Sequence, residues 1–288
     1  MVRAYHLSDQ KQLNLDERIE VKGSDLRDGS GVLYTFDAGL RVTLRDLITQ
    51  MIITSDNTAT DLLLDRVGGL EALNAWLTSA GFPNTKMVQS TLSFFRQPLE
   101  LVDPKYRSLP PEDIFAYWIH PYEISDGLMQ SHASASTTLQ KAAPFATVLP
   151  KMTALWNDDR QYRLGSMTAR ETAVMLEGID RGTLVSKSSS AQMKRILTEQ
   201  REGRLRLPHY LQWPDYFVAH KTGDGPPVIA NDVGVVYGPA GSIVISFFSA
   251  ANTDPYGEHE DRIGHLARAV VDYFAAAKRA SPSVGQKQ

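Results

Sequence analysis

The chain has 288 residues, 42% hydrophobic and 22% charged, a globular composition long enough to bury a proper core rather than that of a fibrous or disordered polymer. Its net charge of −3 offers no basic field to nucleic acid or an anionic membrane, and no apolar run approaches the roughly 18 residues a membrane helix needs. Cysteine is absent, which excludes disulfides, thiolate catalysis and cysteine metal sites but does not choose a compartment.

The first residues, Met1 to Leu7, lack the basic lead, apolar stretch and cleavage site of a signal peptide and read as the tail of a helix already under way. A polar connection over 12–19 and glycines at 23, 29 and 31 follow. From Thr43, a natural N-cap, Leu44, Leu47, Ile48, Met51 and Ile52 recur at helical spacing. That helix should stop at Ser55-Asp56-Asn57, whose side chains compete for backbone groups. A second helix places Ala59, Leu62, Leu63 and Val67 on one face and stops at Gly68-Gly69; a third covers about 70–80.

Between Phe82 and Leu164 the pattern predicts poor order. Seven prolines fall from Pro98 to Pro150, Ser131–Thr138 is a small polar stretch, and only about 111–120 reads as helix. Helices return over about 168–182 and 189–200. The period then changes: strands are expected at Tyr216–His220, Asp232–Tyr237 and Ser242–Ser249, the last two joined by a hairpin at Gly238-Pro239-Ala240-Gly241. An amphipathic helix over Glu258–Lys278 should turn Ile263, Leu266, Val270, Val271 and Phe274 inward. The expected fold is α+β, a helical cluster and an antiparallel sheet closed by a C-terminal helix. We expect one domain over 1–288, with an insertion at about 96–164 and a disordered tail at about 279–288.

Two tripeptides carry the chemistry. Ser55-Asp56-Asn57 lies at a helix junction, where a hydroxyl and an amide can both point into a cleft. Lys221-Thr222-Gly223 ends a strand: Lys221 supplies a cation, Thr222 a hydroxyl, and Gly223 lets a substrate backbone approach the strand edge. The plainer readings are helix capping for the first and a solvated lysine at a strand end for the second.

In this order, with the flanks Met51–Leu64, His220–Gly223 and Asn231–Tyr237, the motifs resemble those of class A β-lactamases and penicillin-binding peptidases. The resemblance covers roughly 1–90 and 165–278. It implies acyl-enzyme chemistry on a small-molecule β-lactam or peptidoglycan-like substrate, without cofactor, metal, nucleic-acid partner or membrane span. Ser55 would relay protons to the leaving nitrogen, Asn57 would bind the substrate side-chain amide, and Lys221 and Thr222 would take its carboxylate, with Gly223 beside them. The setting would be periplasmic or secreted if the full gene carries an upstream signal.

Three features depart from that pattern. The nucleophile motif S-x-x-K is matched only by the spelling Ser8-Asp9-Gln10-Lys11, where the helix carrying a nucleophile would already have ended, so we expect the true motif upstream of Met1. No E-x-x-L-N occurs near Met87–Phe95, and Glu100 is the nearest carboxylate. Asp224 follows the K-T-G and should oppose carboxylate binding. The alternatives are therefore a peptidoglycan DD-peptidase or other amidase, and a binding pseudo-enzyme or truncated product. His259 and His265 are six apart and do not form a helical zinc pair; Tyr117, Trp118 and Tyr122 read as packing; Arg160, Arg163, Arg201, Arg204 and Arg206 read as solvated.

Overall fold

The capping residues and apolar spacing noted from Thr43 onward become helix where they should. The structure, a computed structural model, describes residues 1–124, 147–148, 150–151, 154–155, 163–226 and 228–280. The chain divides into two compact units, Met1–Thr168 and Ala169–Gln288.

In the first unit α1 (Val2–Asp9) buries Val2, Ala4, Tyr5 and Leu7. The strands β1 (Arg18–Glu20) and β2 (Arg41–Thr43) pair antiparallel, Ile19 opposite Val42. Thr43 then caps α2 (Leu44–Ile53): its hydroxyl accepts the Asp46 N–H at 3.0 Å and the Asp46 carboxylate accepts the Thr43 N–H at 3.0 Å. Leu44, Leu47 and Ile48 on α2 are fully buried. Two more helices follow, α3 (Asn57–Arg66) and α4 (Gly69–Ser79), and Gly68 between them has φ +100°.

The segment expected to lack order is different from that expectation where it is described. A short pair, β3 (Lys86–Met87) with β4 (Gly165–Ser166), brackets α5 (Thr91–Val102), a 3₁₀ turn (Pro104–Ser108) and α6 (Pro111–Ile124). Pro98 sits inside α5, where a proline costs about 3 kcal/mol. Packing outweighs it. Leu99, Tyr106, Leu109, Ile114, Tyr117, Trp118 and Val148 form a buried cluster, each large side chain contributing about 1.5–3 kcal/mol. The Trp118 indole N–H also donates to the Phe95 carbonyl at 2.9 Å. Tyr117 and Trp118 are thus packing residues. Ser131–Thr138, Arg160, the Tyr122 side chain and the tail beyond 280 lie outside the described residues.

In the second unit α7 (Ala169–Arg181) and α8 (Lys187–Thr198) precede a sheet of order β5-β6-β7, with β5 at Phe217–Gly225, β6 at Ile229–Gly238 and β7 at Gly241–Phe247. Both pairings are antiparallel, and the hairpin closes with Gly238 opposite Gly241, which adopts φ +108°. One face of β6 presents Ala230 and Val236 to Ile263, Ala267 and Val271 of α9 (Tyr256–Ala280). On the opposite face the Tyr237 hydroxyl donates to Asp180 of α7 at 2.8 Å.

The inward face of α9 is narrower than expected. Ile263, Ala267 and Val271 form the one i, i+4 row that packs, whereas Leu266 is 51% and Phe274 47% exposed, and Val270 is exposed as well. The helix carries two adjacent apolar rows and the sheet takes only one. No described helix is long and apolar enough to cross a membrane.

Candidate active site

The S-D-N tripeptide divides its work. Asp56 is fully buried and carries the structure: its Oδ1 accepts the Ala59 N–H at 2.8 Å, capping α3, and its Oδ2 accepts the N–H groups of Val32 and Leu33 at 2.7 and 2.8 Å. The loop over residues 28–33 is thereby fastened to the helix junction. Ser30 completes the fastening, its hydroxyl donating to the Ser55 carbonyl at 2.6 Å and its carbonyl accepting the Asn57 N–H at 3.1 Å.

Ser55 and Asn57 flank that anchor and are half-buried. Ser55 is held in left-handed backbone, φ +52°, a conformation that strains an L-residue. The Asn57 amide donates to the Asp28 carbonyl at 2.7 Å. Beneath the junction Asp61 pairs with Arg27 at 2.9 Å and accepts the N–H groups of Thr91 and Leu92, so the start of α5 is tied to α3. No sequence pattern announces that buried pair, whose members stand 34 positions apart.

The K-T-G tripeptide does not end its strand. β5 runs through it, pairing Lys221 with Val233, Thr222 with Asp232 and Gly223 with Asn231. The strand is longer because β6 begins at Ile229 and supplies a partner for every residue to Gly225. Among the described residues β5 pairs on that side only, which leaves its other edge without a strand. The Lys221 ammonium donates to the Thr222 carbonyl at 2.9 Å and its hydroxyl at 3.4 Å. Burial pulls the Lys221 ammonium below its usual pKa, against the pull of Glu202, Asp224 and Asp232 in the other direction. Thr222 is buried and donates its hydroxyl proton to Glu202 at 3.1 Å. At Gly223 an added Cβ would come no nearer than 3.5 Å to Asn231, so the fold itself does not demand glycine there.

A family model described as the β-lactamase enzyme family matches residues 1–274. The chain belongs to the β-lactamase enzyme family. The β-lactamase BRO-1 of Moraxella catarrhalis is 38% identical over 76 residues, 26% of this chain and 24% of that enzyme, so the alignment spans about a quarter of the relative's length. Among solved structures, a β-lactamase from Sphaerobacter thermophilus matches with TM-score 0.66 at 23% identity, over 96% of this chain and 79% of that one. An acyl-enzyme complex of a PBP-A point mutant with penicillin G matches with TM-score 0.64 at 19% identity, over 96% and 78%. These likenesses show the α+β fold of class A β-lactamases.

Around the Lys221-Thr222-Gly223 stretch of β5 the structure adds residues that carry no sequence pattern. Arg206 is 2% exposed, not solvated. Its guanidinium donates to Asp224, to Glu260 at 2.9 Å, to the Asn231 carbonyl at 2.8 Å and to the Tyr256 hydroxyl at 3.0 Å. Burial alone would lower its pKa, but Asp224, Tyr256 and Glu260 hold it above the ordinary value. Asp224 therefore has a counter-ion of its own, which corrects the picture of a bare carboxylate facing Lys221. The Tyr256 hydroxyl also donates to Asp224, at 2.6 Å. His220 and Asp232, both buried, meet at 2.9 Å behind the strand, and burial raises the Asp232 carboxyl above its usual pKa. Gly203, at φ +69°, lets this layer close up: a Cβ there would lie 2.4 Å from the Thr222 methyl.

Arginines scattered in a loop give no periodic signal that separates the buried Arg206 from Arg163, Arg201 and Arg204, which are exposed as expected. Ser8 lies in the last turn of α1, and Lys11 falls beyond its C-cap, exposed and at φ +60°. The S-x-x-K spelling there does not share a helical turn. Glu100 pairs with Arg107 at 3.2 Å on α5. His265 pairs with Asp261 at 3.4 Å and His259 meets the Ser249 hydroxyl at 2.9 Å, and no metal-holding cluster occurs among the described residues.

Proposed function

We propose that this chain serves serine acyl-transfer chemistry on a β-lactam or peptide-like amide. Ser55 relays a proton to the leaving nitrogen, Asn57 binds an amide of the substrate, and Lys221 and Thr222 anchor its polar end, with Gly223 leaving room for its backbone. The observation that carries this reading is the strained Ser55 beside a buried Asp56 that already does all the capping. A fold that needed only a helix cap would gain nothing by holding the neighbouring serine in left-handed backbone. Gly223, where an added Cβ would meet no described atom closer than 3.5 Å, points the same way.

A second reading, a penicillin-binding peptidase or amidase, is favoured by one observation: Met87–Phe95 contains no carboxylate to activate a deacylating water. The two differ in how long an acyl-enzyme lasts. The test uses benzylpenicillin and intact-mass spectrometry. Residues 1–288 should bind it reversibly and form no covalent adduct, because Ser8 and Lys11 are not placed to react. If the gene encodes an in-frame Ser-x-x-Lys ahead of Met1, the protein carrying it should acylate, and Ser55→Ala should slow that step. Rapid turnover supports a β-lactamase and a lasting adduct the peptidase. An adduct on residues 1–288 that disappears in Ser8→Ala would overturn the assignment.

A further inference from the structure

We infer that Asp224 makes the K-T-G strand select a hydrogen-bond-donating group, a neutral amide or an ammonium, and reject a free carboxylate. The inference rests on the acyl-transfer reading above and names the substrate chemistry of that same strand.

Thr222 and Asp224 stand two residues apart on β5 and so share a face. A threonine hydroxyl has one proton to give. The Thr222 proton goes to Glu202, and one of its lone pairs takes Lys221. What the hydroxyl can still offer a ligand is acceptance. Asp224, with its side chain 35% exposed, offers acceptance as well. The charge around the strand agrees. Three carboxylates, Glu202, Asp224 and Asp232, act on Lys221, and Arg206 is the other cation beside it. Arg206 cannot turn to an incoming anion, because its guanidinium is buried and already holds Asp224, Glu260, a backbone carbonyl and Tyr256. An arriving carboxylate would meet a surplus of negative charge beside Lys221 and find Arg206 already taken; an amide N–H or an ammonium would find acceptors.

The experiment uses residues 1–288 and two probes, benzylpenicillin as its free acid and its primary carboxamide, titrated at pH 7 while the amide signals of β5 and β6 are followed by NMR. The carboxamide should bind about tenfold tighter than the acid. Asp224→Asn, which keeps an acceptor for Arg206 and Tyr256 but loses the charge, should narrow or invert that ratio, and Asp224→Ser should do the same. A wild-type preference for the acid, or a ratio unchanged in folded Asp224→Asn, overturns the inference and leaves the acyl-transfer reading standing. Failure of both probes to shift the strand signals in every form overturns that reading, and the inference with it. Should neither variant fold, the wild-type ratio alone decides.

Discussion

Gly31 lies so close beneath Asp56 that a Cβ added there would fall 2.3 Å from the carboxylate Oδ2, and its φ of +107° is already a glycine conformation. The loop carrying Gly31 and the helix junction carrying the S-D-N tripeptide are therefore one fitted object. Gly31→Ala should destabilise the protein by about 1–3 kcal/mol from backbone strain, with the contact against Asp56 adding to it. Urea unfolding followed by circular dichroism measures this. An unchanged midpoint would show that the loop moves freely away from Asp56.

Asp56 and Ser55 should respond in opposite ways. Asp56→Ala orphans three backbone N–H groups, each costing about 1–3 kcal/mol when buried, so a loss above about 3 kcal/mol is expected. Ser55→Gly relieves left-handed strain at the expense of unfolded-chain entropy, and stability should stay within about 1 kcal/mol of the parent. Thermal melts of the two variants side by side test the division of labour. Equal losses would contradict it.

Arg206→Leu should be among the more damaging single changes in the second unit. It leaves Asp224 and Glu260 without their cation, and breaking a buried pair from one side costs about 3–5 kcal/mol. Arg206→Lys should recover only part, since an ammonium cannot span Asp224, Glu260, the Asn231 carbonyl and Tyr256 together. A calorimetric melt in which Arg206→Lys matches the parent would reduce the role of Arg206 to charge alone.

Alkaline pH should destabilise the fold. Burial raises the phenol pKa of Tyr5, Tyr117, Tyr237 and Tyr256 above the ordinary tyrosine value. Above about pH 10 the unfolded chain loses those protons and the folded one keeps them, so stability falls as pH rises. Lys221, lowered by burial from 10.5, acts in the opposite sense but below that value, so the fall set by the tyrosines shows at the alkaline end of the range. Denaturation midpoints between pH 8 and 11, with Tyr237→Phe flattening the decline, provide the check.

The unpacked row on α9, Leu266, Val270 and Phe274 with Tyr273 beside it, is an apolar patch open to solvent. Val270→Lys with Phe274→Lys should reduce concentration-dependent association in sedimentation velocity and leave the melting temperature within about 2 °C, because surface changes cost little. A large fall in melting temperature would mean that the row is packed after all.

Local chemistry determined much of this protein from sequence alone. The Thr43 cap, the helices on either side of S-D-N, the Gly238–Gly241 hairpin and the order of the two motifs all depend on residues a few positions apart, and spacing reads such relations directly. Tertiary structure decided the rest. Pro98 lies within a helix because a seven-residue cluster outweighs its cost, one apolar row of α9 packs and its neighbour does not, and Arg206 is buried because carboxylates 18 and 54 residues away converge on it. Periodicity records which side chains share a face, but not which face finds a partner, and long-range ion pairs leave no periodic trace.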